Sequence, residues 1–176
     1  MNAKHCLAAV FILFGTVGPG LSADRPQDNP EVQRLEEALK TTANRDSIRF
    51  QLALAYRNTG LMEGRLRALG IFDQIRGAYF NDPLYHLEIA RTYFEGQRIS
   101  EARDELARAY RLDPTNVSAY LTSAQLLLRS VLRYSDGDVA KEALSALDHA
   151  LALDPKNRDA LFWKSLYLCL LHDLDP

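Results

Sequence analysis

The fold class this 176-residue chain predicts is an all-α stack of helical hairpins, and three observations predict it. Alanine and leucine recur at spacings of four and three, which marks one buried face of a helix. Two segments, EARDELARAYRLDP at 101–114 and EALSALDHALALDP at 142–155, agree at seven of fourteen positions, so the chain repeats itself. Composition excludes the main alternatives. With 47% hydrophobic and 25% charged residues, 9 glycines and 7 prolines, the chain fits neither collagen nor a disordered polymer. A net charge of −2, from 21 basic and 23 acidic side chains, carries no basic footprint for nucleic acid.

The first element is read as an address. Residues 1–23 (MNAKHCLAAVFILFGTVGPGLSA) place Lys4 before an apolar run from Cys6 to Phe14. Gly18, Pro19 and Gly20 follow, and then small residues to Ala23. That layout predicts a signal peptide cleaved after Ala23 and a periplasmic or secreted destination. The apolar run falls short of the roughly 20 residues a membrane span needs, so membrane attachment is expected only if the segment is retained. Residues 24–30 are polar and rich in turn formers, and they predict a disordered spacer.

A helical repeat domain is predicted over 31–173. EVQRLEEALKTTANR at 31–45, with Leu35 and Ala38, reads as one half-hairpin. In the unit at 46–82, a first helix carries Leu52, Ala53 and Tyr56 on one face. Gly60 punctuates, and a second helix carries Ala68, Phe72 and Ile75, with Asp82-Pro83 closing it. In the unit at 83–116, Ile89, Ala90 and Tyr93 share a face, Gly96 breaks the chain, and Ser100 is expected to cap the next helix. That next helix bears Ala102, Leu106 and Ala109. The unit at 117–157 repeats the pattern with Tyr120, Ala124 and Leu127, then Ala143, Leu147 and Ala150. Its surplus residues lie around 129–138. DALFWKSLYLCLLHD at 159–173 opens a last half-hairpin, 158–173. Small alanines let paired helices approach closely, and one hairpin alone cannot bury its apolar face.

These residues resemble the tetratricopeptide repeat, a pair of antiparallel helices of about 34 residues with alanines at its crossing points and a terminal proline. The stretch 83–116 has that length, and Tyr93, Ala102, Leu106, Ala109 and Pro114 fall on the pattern. His86, Tyr120 and Leu161 stand where the family often has tryptophan. The resemblance implies a right-handed α-solenoid that binds protein or peptide partners.

No catalytic constellation is read. His86, His149 and His172 form no HExxH helix, and neither a phosphate-cradling glycine loop nor a GxSxG elbow occurs. No cofactor and no metal site are expected. Asp136-Gly137-Asp138 lacks the flanking ligands of a calcium loop and reads as a turn with a helix cap. Asn116-Val117-Ser118 matches a glycosylation sequon, and chance is the simpler reading. Cys169 is read as a solitary buried hydrophobe once Cys6 leaves with the leader. The alternatives are a bridge to a second chain and a thiol nucleophile with His172 three residues away.

In stacked hairpins the first helices line the concave side. Spacing of four then three assigns a peptide- or protein-binding groove to Phe50, Leu54 and Arg57, to Leu87, Arg91 and Phe94, and to Leu121, Gln125 and Leu128. The competing reading packs these leucines between neighbouring helices. The lysine and asparagine of a carboxylate clamp are absent from this stripe. The last helix is apolar nearly all round, so Phe162, Trp163, Tyr167 and Leu170 are assigned to an association surface, for a partner or a second copy. The function predicted is a non-catalytic adaptor or assembly factor for an envelope complex. A chaperone for secreted or outer-membrane clients is the alternative, and a thiol-dependent enzyme using Cys169 is the remote one.

Overall fold

The structure is a computed structural model that describes residues 25–43, 45–134 and 137–174. Of residues 129, 130, 132–134 and 172–174 it describes only the backbone. The predicted leader, 1–23, lies outside the described residues. Among the described residues the chain is all-α, with eight helices and no strand. They are α1 (Pro30–Thr41), α2 (Arg45–Asn58), α3 (Met62–Tyr79), α4 (Pro83–Glu95), α5 (Ile99–Leu112), α6 (Val117–Tyr134), α7 (Gly137–Leu153) and α8 (Arg158–Leu174). They form two compact units, described over 25–112 and 113–174.

In the N-terminal unit α2 pairs with α3 and α4 with α5, while α1 packs on α2 and α3 meets α4. The alanines that the sequence spaces along these helices are sealed. Ala53, Ala68, Ala90, Ala102 and Ala109 are each 0% exposed, so paired backbones approach over methyl groups. Leu52, Tyr56, Phe72, Ile75 and Tyr85 fill the space around them. Single hydrogen bonds then fix register. The Tyr56 hydroxyl donates to Glu36 Oε1 at 2.5 Å, joining α2 to α1. The Tyr85 hydroxyl donates to the Phe72 carbonyl at 2.8 Å, joining α4 to α3.

Two glycines shape the α2–α3 corner. Gly60 has φ +73°, a left-handed conformation that suits glycine after a helix C-terminus. A Cβ on Gly64 would lie 2.4 Å from the Tyr56 carbonyl oxygen, so only glycine lets α3 begin this close to α2. Between α4 and α5 the sequence expectation shifts by one residue. Gly96 has an ordinary φ of −81°, and Gln97 takes the left-handed turn at φ 62°. The adjacent Arg98 lays its guanidinium over the Tyr93 ring, 4.6 Å from the centroid. Ser100 lies inside α5 and does not cap it.

The expected disordered spacer at 24–30 is corrected from Arg25 onwards. Pro26–Asp28 form a 3-10 turn with Pro26 buried. Asn29 accepts from the Glu31 and Val32 amides at 2.9 and 3.3 Å and so caps α1 one residue earlier than expected, with Pro30 at its first position. Turn formers here serve a helix start. Asp82-Pro83 acts the same way: Asp82 accepts from the Leu84 amide at 2.9 Å, and Pro83 opens α4.

In the C-terminal unit α6 pairs with α7, and α8 packs on both. Ala124, Ala140, Ala143, Leu147 and Ala150 are each 0% exposed. The repeated Asp-Pro-x-Asn segments work as turn and cap together. Asp113 and Asp154 accept from the amides of Thr115 and Lys156. Asn116 and Asn157 accept from those of Ala119 and Ala160 at 3.2 and 3.0 Å. Asn116, half of a formal sequon, is therefore a helix cap, a role the sequence reading missed although the repeat displays it.

The last helix departs from expectation. Trp163 is 8% exposed and Tyr167 0%, and the Tyr167 hydroxyl donates to the Ala124 carbonyl of α6. Burial pushes that hydroxyl far above the usual phenol range, so it stays a donor. Trp163 and Tyr167 are core, and Leu170 is half-buried. The exposed apolar stripe is instead Leu161, Phe162 and Leu168, at 47%, 43% and 50%. A helix that looks apolar all round in one dimension has its bulkiest residues turned inward.

Tyr167→Phe removes one hydrogen bond and should cost about 1 kcal/mol. Tyr167→Ser opens a cavity and should cost about 3–5 kcal/mol. Phe162→Ser should change stability by less than about 0.5 kcal/mol. Urea denaturation of the full chain checks the ordering.

Candidate binding surface on the first helices

The first helices of the N-terminal unit are α2 and α4, and the predicted groove residues sort into three kinds. Leu87 is 1% exposed and is core, which corrects its assignment as a lining residue. Phe50 packs on Phe72 and Tyr79 with ring centroids 5.7 and 5.3 Å apart, and Leu54 packs against the same core, so both belong chiefly to the α2–α3 hairpin. Arg57, Arg91 and Phe94 remain at the surface or its edge. In the C-terminal unit Leu128 is 0% exposed, a second correction, while Leu121 and Gln125 are half-buried. Spacing of four and three selects a helix face; it does not say whether water or a neighbouring helix meets that face.

The arginines are brought together by a residue the sequence reading passed over. Glu88 on α4 is 6% exposed and holds both. Its Oε2 pairs with the Arg57 guanidinium from α2, and its Oε1 lies 2.8 Å from Arg91 Nη1. Arg57 is itself only 13% exposed, and Asn58 accepts from it as well. Arg57 is thus a structural clasp between consecutive first helices, not a hand held out to a ligand. Removing one member of a buried pair of this kind typically costs about 3–5 kcal/mol. Arg91, with 36% of its side chain exposed, faces outward from the same carboxylate. A signal for Glu88 existed. It stands three residues before Arg91 and one turn before Thr92, whose hydroxyl donates to its carbonyl at 2.7 Å.

Glu95 completes the cluster, half-exposed at the end of α4, with Oε1 3.9 Å from Arg57 Nε. Withdrawal from water raises its carboxyl above the ordinary range, outweighing the lowering by Arg57, Arg65 and Arg91. The accessible part of this surface is thus one arginine flanked by Phe94 and two carboxylates.

Other candidates fall elsewhere. Cys169 is half-buried on α8. Asp138 sits in the first turn of α7 beside Lys141 at 3.2 Å, while Asp136 lies outside the described residues. His149 stacks on Tyr120, with centroids 5.4 Å apart. Among the described residues no helix is long and apolar enough to cross a membrane, and no three metal-ligating side chains cluster.

No family model and no curated protein matches the chain. Its fold does match solved structures. The tetratricopeptide-repeat domain of Arabidopsis OM64 is 20% identical with a TM-score of 0.58, over 70% of this chain and 93% of that one. MamA is 14% identical with a TM-score of 0.58, over 81% of this chain and 84% of that one. The second tetratricopeptide-repeat domain of human RPAP3, solved with the HSP70 peptide SGPTIEEVD, is 21% identical with a TM-score of 0.54, over 70% and 98%. The protein therefore has the all-α, solenoid-class fold of tetratricopeptide-repeat domains.

Because the folded-state carboxyl of Glu95 titrates above its ordinary 4.5, ionising it disfavours the native state. That penalty is complete above the folded value and vanishes as pH falls below about 4.5. Glu95→Gln should therefore raise the melting temperature relative to the parent near pH 7, with the gain disappearing below about pH 4.5. Paired thermal melts across the range check it.

Proposed function

We propose that this protein is a non-catalytic protein–protein interaction module, an adaptor or assembly factor of an exported compartment. The observation that carries the binding reading is the outward face of α4, where Arg91 and Phe94 sit side by side. A directional donor next to an aromatic surface suits a peptide that presents a carboxylate beside an apolar side chain. The repeat fold supports the same reading, since the human RPAP3 domain was solved with a bound peptide. The occupant should differ in grip from that acidic tail, because the lysine and asparagine of a carboxylate clamp are missing from the stripe here.

The proposed units are 46–82, 83–116 and 117–157, with half-units 31–45 and 158–173. Self-association through α8 is part of the proposal, now carried by Leu161, Phe162 and Leu168. A periplasmic or secreted location rests on the leader pattern of residues 1–23. The chain has two cysteines, and cleavage after Ala23 would remove Cys6.

A photocrosslinker at Arg91, followed by mass spectrometry, should capture a defined protein partner, and Phe94→Ala should weaken that capture about tenfold or more. Unchanged capture by the Phe94 variant overturns the site. Native mass spectrometry of the exported form should give residues 24–176, with a paired species that the Leu161→Ser/Phe162→Ser variant lacks. A full-length 176-residue mass with no alkylatable thiol overturns the cleavage.

A further inference from the structure

The N-terminal unit has a second concavity, built by the second helices α3 and α5 over α4. It encloses about 440 Å³, a size typical of ligand pockets, and adjoins a hollow of about 180 Å³. Phe80, His86 and Arg108 line both.

The floor is fixed before any ligand arrives. Phe72, Tyr85 and His86 are at least 97% buried. Tyr85 is held by its bond to the Phe72 carbonyl. His86 is held twice, by Nε2 donating to the Phe80 carbonyl at 2.8 Å and by Nδ1 bonding Glu105 at 2.6 Å. Phe80 stands at the junction of the two hollows, 58% exposed, with its ring edge-to-face on His86 at 6.1 Å. A large aromatic left this open beside a rigid cavity is an unused contact surface.

The rim is cationic. Arg76, Arg108 and Arg111 border the two hollows, against the carboxylates Asp73 and Glu105. Glu105 is already engaged by His86 and by Arg108 at 2.6 Å. Arg76 pairs with Asp73 at 3.0 Å, and both are well exposed. Exposed pairs of this kind are worth about 1 kcal/mol or less, so Arg76 can turn to an incoming carboxylate, while Arg108, bonded to Glu105 through Nη1, keeps further N–H donors on a side chain 46% exposed. Gly70 forms part of the wall in the interior of α3, where glycine costs about 1 kcal/mol relative to alanine. A Cβ there would meet nothing within 4 Å, so no neighbour requires the glycine, and its missing side chain keeps the mouth open.

We propose that this cavity is a second recognition site, for a peptide segment that carries an aromatic side chain beside an acidic one. The larger hollow takes the aromatic ring against Phe80 and the apolar floor, and Arg108 and Arg111 take the carboxylate. Two hollows in series, joined at Phe80, suit successive side chains of one chain better than a single compact molecule. The site is separate from the first-helix surface and does not depend on it.

Calorimetric titration of the full chain with three capped tripeptides tests this: phenylalanine flanked by glutamates, by glutamines and by lysines. The acidic peptide should bind with a Kd of about 1 mM or tighter, and the lysine peptide at least about tenfold more weakly. Arg108→Gln and Phe80→Ala should each weaken the acidic peptide about tenfold. Gly70→Leu should abolish binding while leaving the melting temperature unchanged or higher, because the added side chain fills the cavity and favours the helix. Arg91→Ala should leave binding unaltered. Equal binding of all three peptides, no binding of the acidic one, full binding by the Gly70→Leu variant, or loss of binding in Arg91→Ala would each overturn the proposal.

Discussion

Close approach of paired helices is the constraint on which this structure depends. Two helices can bring their backbones together only where side chains at the crossing are small. The chain supplies alanine at those points and seals it: Ala53, Ala68, Ala90, Ala102 and Ala109 in one unit, and Ala124, Ala140, Ala143 and Ala150 in the other. Leu106 and Leu147 fill the space between successive alanines at nearly zero exposure. Enlarging an alanine at such a point would push a helix pair apart and disturb every contact built on it.

Apolar packing sets distance but not register, since leucine faces slide easily over one another. Register is set by a few directional bonds between helices. Tyr56 to Glu36 joins α2 to α1, Tyr85 to the Phe72 carbonyl joins α4 to α3, and His86 to Glu105 joins α4 to α5. Arg57 to Glu88 joins the two first helices, and Tyr167 to the Ala124 carbonyl joins α8 to α6. Each buries polar atoms that would be costly unpaired, so a slipped arrangement is penalised directly. These side chains do for the units what caps do for single helices.

The same division of labour organises the surfaces. On the first-helix side, Arg57 is committed to holding α4, and the side chain left facing outward is Arg91. On the second-helix side, His86 and Glu105 stabilise the floor of a cavity whose rim carries loosely paired arginines. In both places a buried charged or polar pair makes the platform, and a neighbouring arginine with aromatic company presents the contact. Both proposed surfaces lie on helices rather than loops, an arrangement that lowers the entropy a partner's binding would cost.

The hairpin class, its helix faces and its core alanines were legible in the sequence, because burial of a helix leaves a periodic trace in composition. The repeated closing Leu-Asp-Pro was legible too, although the capping role of Asn116 was not. The fates of Leu87, Leu128, Trp163 and Tyr167 were not, because an apolar residue looks the same in one dimension whether it faces water, a groove or another helix. Glu88 and Glu105 were not singled out, because a glutamate looks the same in one dimension whether it is solvated or buried in a pair. What the chain alone determined is which residues share a helix face, a property of neighbours three and four apart. Which of those faces close on one another, and which charged groups are thereby buried and paired, was decided only by tertiary structure. Contacts such as Arg57 to Glu88 and Tyr167 to Ala124 join residues 31 and 43 positions apart, and no local periodicity records them.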